Sequence, residues 1–190
     1  MLKNALLASA TLAFAAQAAI ADITWETGLY INSGGDELAK LEFEEGHDQT
    51  VNAGGGLHFV FGGRYAINEE VRVLARLGYL VDSASGEYDS GATVDIDFST
   101  LTLDALASYR INKHEIGGGF TYQPSPEYEV DHPIVSGSVE ADAALGLLVE
   151  YRYNLNERVG LDVRYMNIEY DFEGDTRDGS GLGIGAVFMF

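Results

Sequence analysis

Residues 71–81 read Val-Arg-Val-Leu-Ala-Arg-Leu-Gly-Tyr-Leu-Val, and this stretch decides the fold. Its apolar residues occupy the odd-numbered positions, and the even-numbered ones include Arg72, Arg76 and Gly78. Successive side chains of a β-strand point to opposite faces, so a period of two predicts a strand with one apolar face. The segment is the cleanest example of a pattern that runs through most of the chain.

The same alternation recurs along the sequence, and the segments are joined in two ways. The other alternating segments lie at 23–31, 55–66, 96–110, 115–123, 139–153, 159–169 and 181–190. Short turns are predicted at Ile67–Glu70, Ile111–His114 and Asn154–Arg158, and long polar loops at 32–50, 82–95, 124–138 and 171–180. An up-and-down meander places every second connection at the same end. The sequence therefore predicts an all-β fold, an eight-stranded antiparallel up-and-down barrel with two unlike ends.

The polar faces of these segments carry charged side chains that we assign to the barrel lumen. They are Glu26, His58, Arg64, Arg72, Arg76, Asp104, Arg110, Glu150, Arg152, Asp162 and Arg164. The interior of an eight-stranded barrel is just wide enough for side chains to fill, and the many Tyr and Phe would overfill it. The apolar faces are therefore expected to point outward into lipid, as in a transmembrane β-barrel.

The luminal set has two interpretations that use the same residues. It is either an ion-paired plug that holds the barrel rigid, or the lining of a narrow ion or small-solute pore. His58 is expected to pair with a buried acid such as Glu26 or Asp104. The sequence leaves the plug and the pore open.

The N-terminus has the features of a secretory signal peptide. Lys3 supplies a positive charge, Ala5 to Ala16 is apolar, and Ala19-Ile20-Ala21 offers small residues for cleavage. We therefore expect a signal peptide at 1–21 and a barrel domain at 22–190.

The charge balance excludes one class of partner and describes the loops. The chain carries 11 Lys+Arg against 30 Asp+Glu, a formal net charge of −19. Nucleic acid is not an expected partner, because its phosphates would repel so acidic a chain. Acidic residues concentrate in the predicted long loops, which we expect to be solvated and negative.

Candidate catalytic and metal-binding groups are weak. The chain has no Cys. His47 lies in an acidic loop, and no loop shows the spacing of acidic residues that surrounds calcium. His132 with Ser136 or Ser138 is the one arrangement that a lipid-modifying enzyme of the outer leaflet could use. We expect no catalytic site, no metal site and no cofactor, beyond loose divalent-cation binding by the acidic loops.

The last strand makes a family resemblance specific. Residues 183–190 read Gly-Ile-Gly-Ala-Val-Phe-Met-Phe, and Gly185, Phe188 and Phe190 are similar to the C-terminal signal that the barrel assembly machinery reads. Over 22–190 the chain resembles the small eight-stranded outer-membrane barrels of the OmpA/OmpX type. No peptidoglycan-binding domain follows Phe190 in this sequence, so anchoring of the cell wall is not expected.

The resemblance implies a location and a set of partners. We expect a monomer in the outer membrane, with its short turns in the periplasm and four acidic loops outside, in contact with lipid and lipopolysaccharide. The expected role is structural and interactive at the cell surface, without catalysis. The alternatives are the narrow pore, the outer-leaflet lipid enzyme and, last, a soluble periplasmic barrel that binds an apolar ligand.

Overall fold

The computed structural model describes residues 23–42, 48–87, 93–132 and 136–190, and the described chain is all-β. The strands are β1 (Ile23–Gly34), β2 (Glu37–Glu42), β3 (Asp48–Asn52), β4 (Gly56–Ala66), β5 (Val71–Glu87), β6 (Thr93–Ile111), β7 (His114–Gln123), β8 (Glu127–Asp131), β9 (Gly137–Glu140), β10 (Ala144–Asn154), β11 (Val159–Asn167), β12 (Glu169–Phe172), β13 (Asp175–Asp178) and β14 (Gly181–Met189). In these ranges no helix has the length and apolarity needed to cross a membrane. The predicted signal peptide at 1–21 and His47 lie outside the described residues.

Eight of these strands form a closed antiparallel barrel, which confirms the predicted fold class. The order around the barrel is β1, β4, β5, β6, β7, β10, β11 and β14, and β14 pairs with β1 to complete the circle. Backbone hydrogen bonds in both directions between Trp25 and Phe190 extend this closure to the last residue. No barrel strand is left with an open edge.

The two ends of the barrel differ as the sequence predicts. At one end, short turns at 67–70, 112–113 and 155–158 join β4 to β5, β6 to β7 and β10 to β11. In two of these turns an Asn side chain accepts backbone N–H groups: Asn68 from Val71, and Asn156 from Val159. Such Asn-based turns are compact and fix the register of the strands that they join.

At the other end, the expectation of solvated polar loops is wrong. The predicted loop 82–95 is mostly strand, since β5 runs to Glu87 and β6 starts at Thr93. The other loops contain the hairpins β2–β3 and β12–β13, and strands β8 and β9, which extend the sheet beyond β6. The predicted strand 139–153 is correspondingly broken, because β9 ends at Glu140 and β10 starts at Ala144.

A second apolar core explains why these hairpins form. Its buried residues beyond the barrel wall are Val51, Ala53, Ala84, Val94, Ile96, Phe98, Ala141, Ile168 and Tyr170. The Tyr170 ring packs on Phe98 at 5.6 Å between centroids, and its hydroxyl donates to Gln123 Oε1 at 2.7 Å. Burial raises the pKa of the Tyr170 phenol well above its ordinary value. The acidic residues thus surround packed hairpins.

The outer wall of the barrel is apolar and exposed. Its side chains include Leu29, Ile31, Phe59, Phe61, Leu77, Leu101, Leu103, Phe120, Leu147, Val149, Leu161, Leu182 and Ile184. Tyr65, Tyr109 and Tyr151 lie beside the short turns, at the level of an interfacial aromatic girdle. A continuous apolar band of this kind marks a surface that contacts lipid.

A charge network in the barrel lumen

The charged residues predicted for the lumen meet at one level of the barrel, contributed by strands on opposite sides. Glu26 comes from β1, Arg76 from β5, Glu150 and Arg152 from β10, and Asp162 from β11. Each lies at an inward position of its strand, because the outward positions carry the apolar band. All five are at most 5% exposed. The lumen is filled by side chains at this level.

Arg76 links two carboxylates on different strands. Its Nη1 and Nη2 donate to Glu150 Oε2 and Oε1 at 2.6 and 2.8 Å, and its Nε donates to Glu26 Oε1 at 2.6 Å. The contact with Glu150 is the bidentate arrangement that planar guanidinium and carboxylate groups prefer. One arginine therefore ties β5 to β1 and to β10, across the barrel.

Arg152 makes a second bidentate pair beside the first. Its Nε and Nη2 donate to Asp162 Oδ1 and Oδ2 at 2.7 and 2.6 Å, and its Nη1 donates to Glu26 Oε2 at 2.9 Å. The Tyr30 hydroxyl donates a further bond to Asp162 Oδ2 at 2.7 Å. Glu26 is thus the acid that both arginines share.

Arg64 extends the network toward the short-turn end. Its Nε lies 3.0 Å from Glu26 Oε2, and its Nη1 donates to Glu115 Oε2 at 3.3 Å. Ser108 Oγ donates to the other oxygen of Glu115 at 2.7 Å. The sequence analysis missed Glu115, although its odd-numbered position on β7 is on the inward face with Thr121 and Gln123.

A neighbouring cluster is centred on Arg164. Its Nη2 donates to Asp104 Oδ2 at 3.1 Å, its Nη1 donates to His58 Nδ1 at 3.1 Å, and its guanidinium lies 5.0 Å from the centre of the Tyr30 ring. Because arginine can only donate, His58 Nδ1 must accept, and Nε2 then carries the proton donated to Thr102 Oγ1 at 2.9 Å. His58 therefore pairs with an arginine and a threonine, and the prediction of an acidic partner is wrong.

Inward glycines make the space that the long side chains occupy. A Cβ added at Gly160 would lie 2.9 Å from Arg152 Cδ, and one at Gly62 would lie 2.8 Å from Arg76 Cγ. The same atom at Gly185 would lie 2.5 Å from the Tyr30 ring. Contacts this short force the neighbouring side chain to move. The alternation of Gly with charged residues is therefore a packing requirement of the plug.

Two residues of the predicted luminal set do not join the network. Arg72 and Arg110 lie near the short turns, are only partly buried, and donate to backbone carbonyls. Arg72 binds the carbonyls of Glu69 and Glu70, and Arg110 binds that of Asn112. Among the described residues, neither guanidinium forms an ion pair.

The C-terminal residues proposed as an assembly signal lie on both faces of the last strand. Phe188 and Phe190 face outward, with their rings stacked 6.2 Å apart. Gly185 faces inward against Tyr30. A role of the three in assembly stays a prediction, while Gly185 already has a packing role.

The arrangement is chemically suited to holding strands together. Four guanidinium groups (Arg64, Arg76, Arg152, Arg164) face five carboxylates (Glu26, Asp104, Glu115, Glu150, Asp162). Buried charges are tolerated when they are paired and hydrogen-bonded, and removal of one partner is costly. No group of His, Asp and Glu in the described chain has a metal-binding arrangement.

Comparison with known proteins agrees with this class of protein, a transmembrane β-barrel with a filled polar lumen. The outer membrane protein beta-barrel domain matches residues 5–190. The chain belongs to this family, is an outer-membrane protein, and is not a soluble periplasmic barrel. The resemblance to the OmpA/OmpX type of barrel is confirmed at the level of the family.

Solved structures show the same fold at low sequence identity. Ail, the attachment invasion locus protein of Yersinia pestis, in complex with the heparin analogue sucrose octasulfate, aligns at a TM-score of 0.58 and 16% identity, covering 88% of this chain and 97% of that chain. Neisserial surface protein A aligns at 0.54 and 14% identity, covering 89% and 97%. No curated protein sequence matches the chain. These likenesses concern the fold alone.

Proposed function

We propose that this protein is a structural outer-membrane barrel with a sealed lumen, whose interactions with its surroundings are made by the outer hairpins. The observation that carries the proposal is the plug of ion pairs. Glu26 and Arg152 at its centre are 0% and 1% exposed, so a water-sized probe scarcely reaches them. A conducting path would need these contacts to open, and opening would leave buried charges without partners.

Single-channel conductance of the refolded mature chain tests this proposal against the narrow pore. Heat-modifiable gel mobility first establishes that the barrel is folded. We expect a folded barrel without discrete openings. Steady openings that change with Arg76→Ala, and do not change with Arg158→Ala on the exposed turn 155–158, would identify a pore lined by the network and refute the sealed lumen.

The outer hairpins present a negative surface. The exposed acidic residues described there include Asp36, Glu37, Asp48, Asp95, Glu127, Glu129, Asp131, Glu140, Asp142, Glu169, Asp171, Glu173, Asp175 and Asp178. We infer that this surface repels sulfated polyanions such as the ligand named for Ail, and that it contacts lipopolysaccharide through divalent cations. Retention on immobilised heparin at moderate salt would contradict this inference.

The remaining partners follow from the location. We propose that the chain is a monomer with its short turns in the periplasm and that it is inserted by the barrel assembly machinery through Gly185, Phe188 and Phe190. Deletion of Phe190 is expected to reduce insertion in cells. Unchanged insertion would remove the assembly role.

Catalysis is not part of the proposal. The arrangement favoured by the sequence would use His132 with Ser136 or Ser138, and both serines are exposed beside or within β9. We expect lipid A from cells that express the protein to be unaltered. A change in lipid A that is lost with Ser136→Ala or His132→Ala would establish an outer-leaflet lipid enzyme instead.

A further inference from the structure

Arg72 and Arg110 are the charged residues of the barrel interior that the plug does not use. They lie diagonally across β5 and β6, since Arg72 is paired in register with Ser108. Their guanidinium groups donate to backbone carbonyls of the turns at 67–70 and 112–113. Each guanidinium has five N–H donors and can bind an oxyanion in addition.

Both arginines line a cleft of about 490 Å³ at the short-turn rim. The outward-facing Tyr109 and Ile111 line the same cleft, so it opens toward the membrane interface as well as toward the barrel mouth. Glu69 and Glu70 complete the lining, and Glu70 accepts a hydrogen bond from the Tyr109 hydroxyl at 2.7 Å. The cleft therefore presents positive and negative groups side by side.

Farther along the same strands, the lipid-facing wall has a trough of about 690 Å³. Gly63, Ala75 and Ala105 lie directly across β4, β5 and β6 from one another, and their small side chains form its floor. Trp25 and Phe61, stacked at 5.6 Å, form one wall. The trough reaches Val73, one register pair from Tyr109 in the cleft.

We propose that the cleft and the trough together bind one phospholipid whose headgroup carries both a phosphate and a primary ammonium. The phosphate is bound by Arg72 and Arg110, and the ammonium by Glu69 and Glu70. One acyl chain lies in the trough against Trp25. The charge pattern of the cleft carries this assignment, because a purely anionic headgroup would leave the two carboxylates facing negative charge.

The position of the cleft supports a lipid as the occupant. Tyr109 belongs to the aromatic level at the membrane interface, where phospholipid phosphates lie. Arginine side chains near that level extend their charged ends toward the headgroups, and guanidinium groups bind phosphate oxygens in a bidentate manner. The trough continues the apolar band, so its natural occupant is an acyl chain.

The single tryptophan of the sequence, Trp25, reports on the trough directly. The refolded chain is placed in phosphatidylcholine vesicles that contain lipids brominated on the acyl chains, and quenching of Trp25 fluorescence gives their relative affinity for the site. Phosphatidylethanolamine is expected to bind about two- to fivefold more tightly than phosphatidylcholine, the factor that one exposed ion pair supplies. Phosphatidylglycerol is expected to bind less tightly than phosphatidylethanolamine.

Variants assign the preference to this cleft. Glu69→Gln and Arg110→Gln are expected to bring the ratio close to one, while Glu157→Gln and Arg158→Gln, matched changes on the turn 155–158, leave it unchanged. Ala75→Leu fills the trough and is expected to lower the ratio without altering any charge. Gel mobility confirms that each variant is folded.

Three results would overturn the proposal. Equal quenching by phosphatidylethanolamine and phosphatidylcholine in the unmodified protein removes the site, whatever the variants do. Tighter binding of phosphatidylglycerol makes the cleft a simple anion site. An equal loss of preference in Glu157→Gln shows a general effect of rim charge. None of these results bears on whether the lumen conducts.

Discussion

Replacement of Arg152 by methionine tests the plug most directly. Methionine keeps an unbranched side chain in the space beside Gly160 and removes the charge. Glu26 keeps Arg76 at 2.6 Å, and Glu150 keeps its bidentate contact with the same arginine. Asp162 loses both of its guanidinium bonds and keeps only the Tyr30 hydroxyl. The main cost is therefore one buried carboxylate without a cation.

The expected cost follows from that count. Breaking a buried ion pair by removing one partner destabilises a protein by about 3–5 kcal/mol. In the double variant with Asp162→Asn no uncompensated charge remains, and the amide oxygen still accepts the Tyr30 hydroxyl. We expect the two substitutions to be coupled by about 2 kcal/mol, so the double variant is more stable than the sum of the single variants predicts.

Urea titration of the folded barrel in bilayers measures these free energies of unfolding. Trp25 fluorescence and heat-modifiable mobility follow the transition, and Arg158→Met on the exposed turn 155–158 serves as the control. A loss below about 1 kcal/mol for Arg152→Met, or additivity of the two substitutions within about 0.5 kcal/mol, would refute the reasoning that the network is a tightly paired plug.

Three further predictions concern packing and titration. Gly160→Ala is expected to lower stability in the same titration by about 1–3 kcal/mol because its methyl group displaces Arg152, whereas Gly118→Ala, whose Cβ meets only a carbonyl at 3.8 Å, has little effect. Tyr170→Phe is expected to cost about 1–2 kcal/mol, since it leaves a buried amide oxygen without its donor; no loss would contradict this. Asp82 lies on β5 beyond the lipid-facing band, and burial raises its pKa. Its protonated form favours the folded state, so stability decreases as pH rises through the raised pKa, and the difference between wild type and Asp82→Asn must grow in that direction.

Alternation along the strands was enough to predict the barrel and most of its interior. In a closed eight-stranded sheet an inward position can only be luminal, so parity alone placed Glu26, Arg76 and Asp162 correctly. The same rule identifies Glu115, which was overlooked because it lies next to a turn. The partner of each charge was not predictable, since Arg76 meets residues 50 and 74 positions away and the stagger between strands decides the match.

The outer hairpins were misjudged because composition was given more weight than period. Val94, Ile96 and Phe98 continue the alternation of β6 through a segment that its acidic residues suggested was a loop. Asp95 and Asp97 occupy the positions between them, on the opposite face. A strand can be acidic on one face and still contribute to a core with the other, so net charge says little about whether a segment is packed.

The filled lumen limits where specific recognition can occur in this protein. Arg76, Arg152 and Arg164 are each committed to carboxylates, and at the loop side Phe98 and Tyr170 pack into a second core. A ligand in the barrel would have to displace one of these sets at a cost of several kcal/mol. The outer hairpins and the rim are free of that cost. Binding is therefore expected at the two ends of the barrel, and the cleft at Arg72 and Arg110 is the place where charged groups remain available.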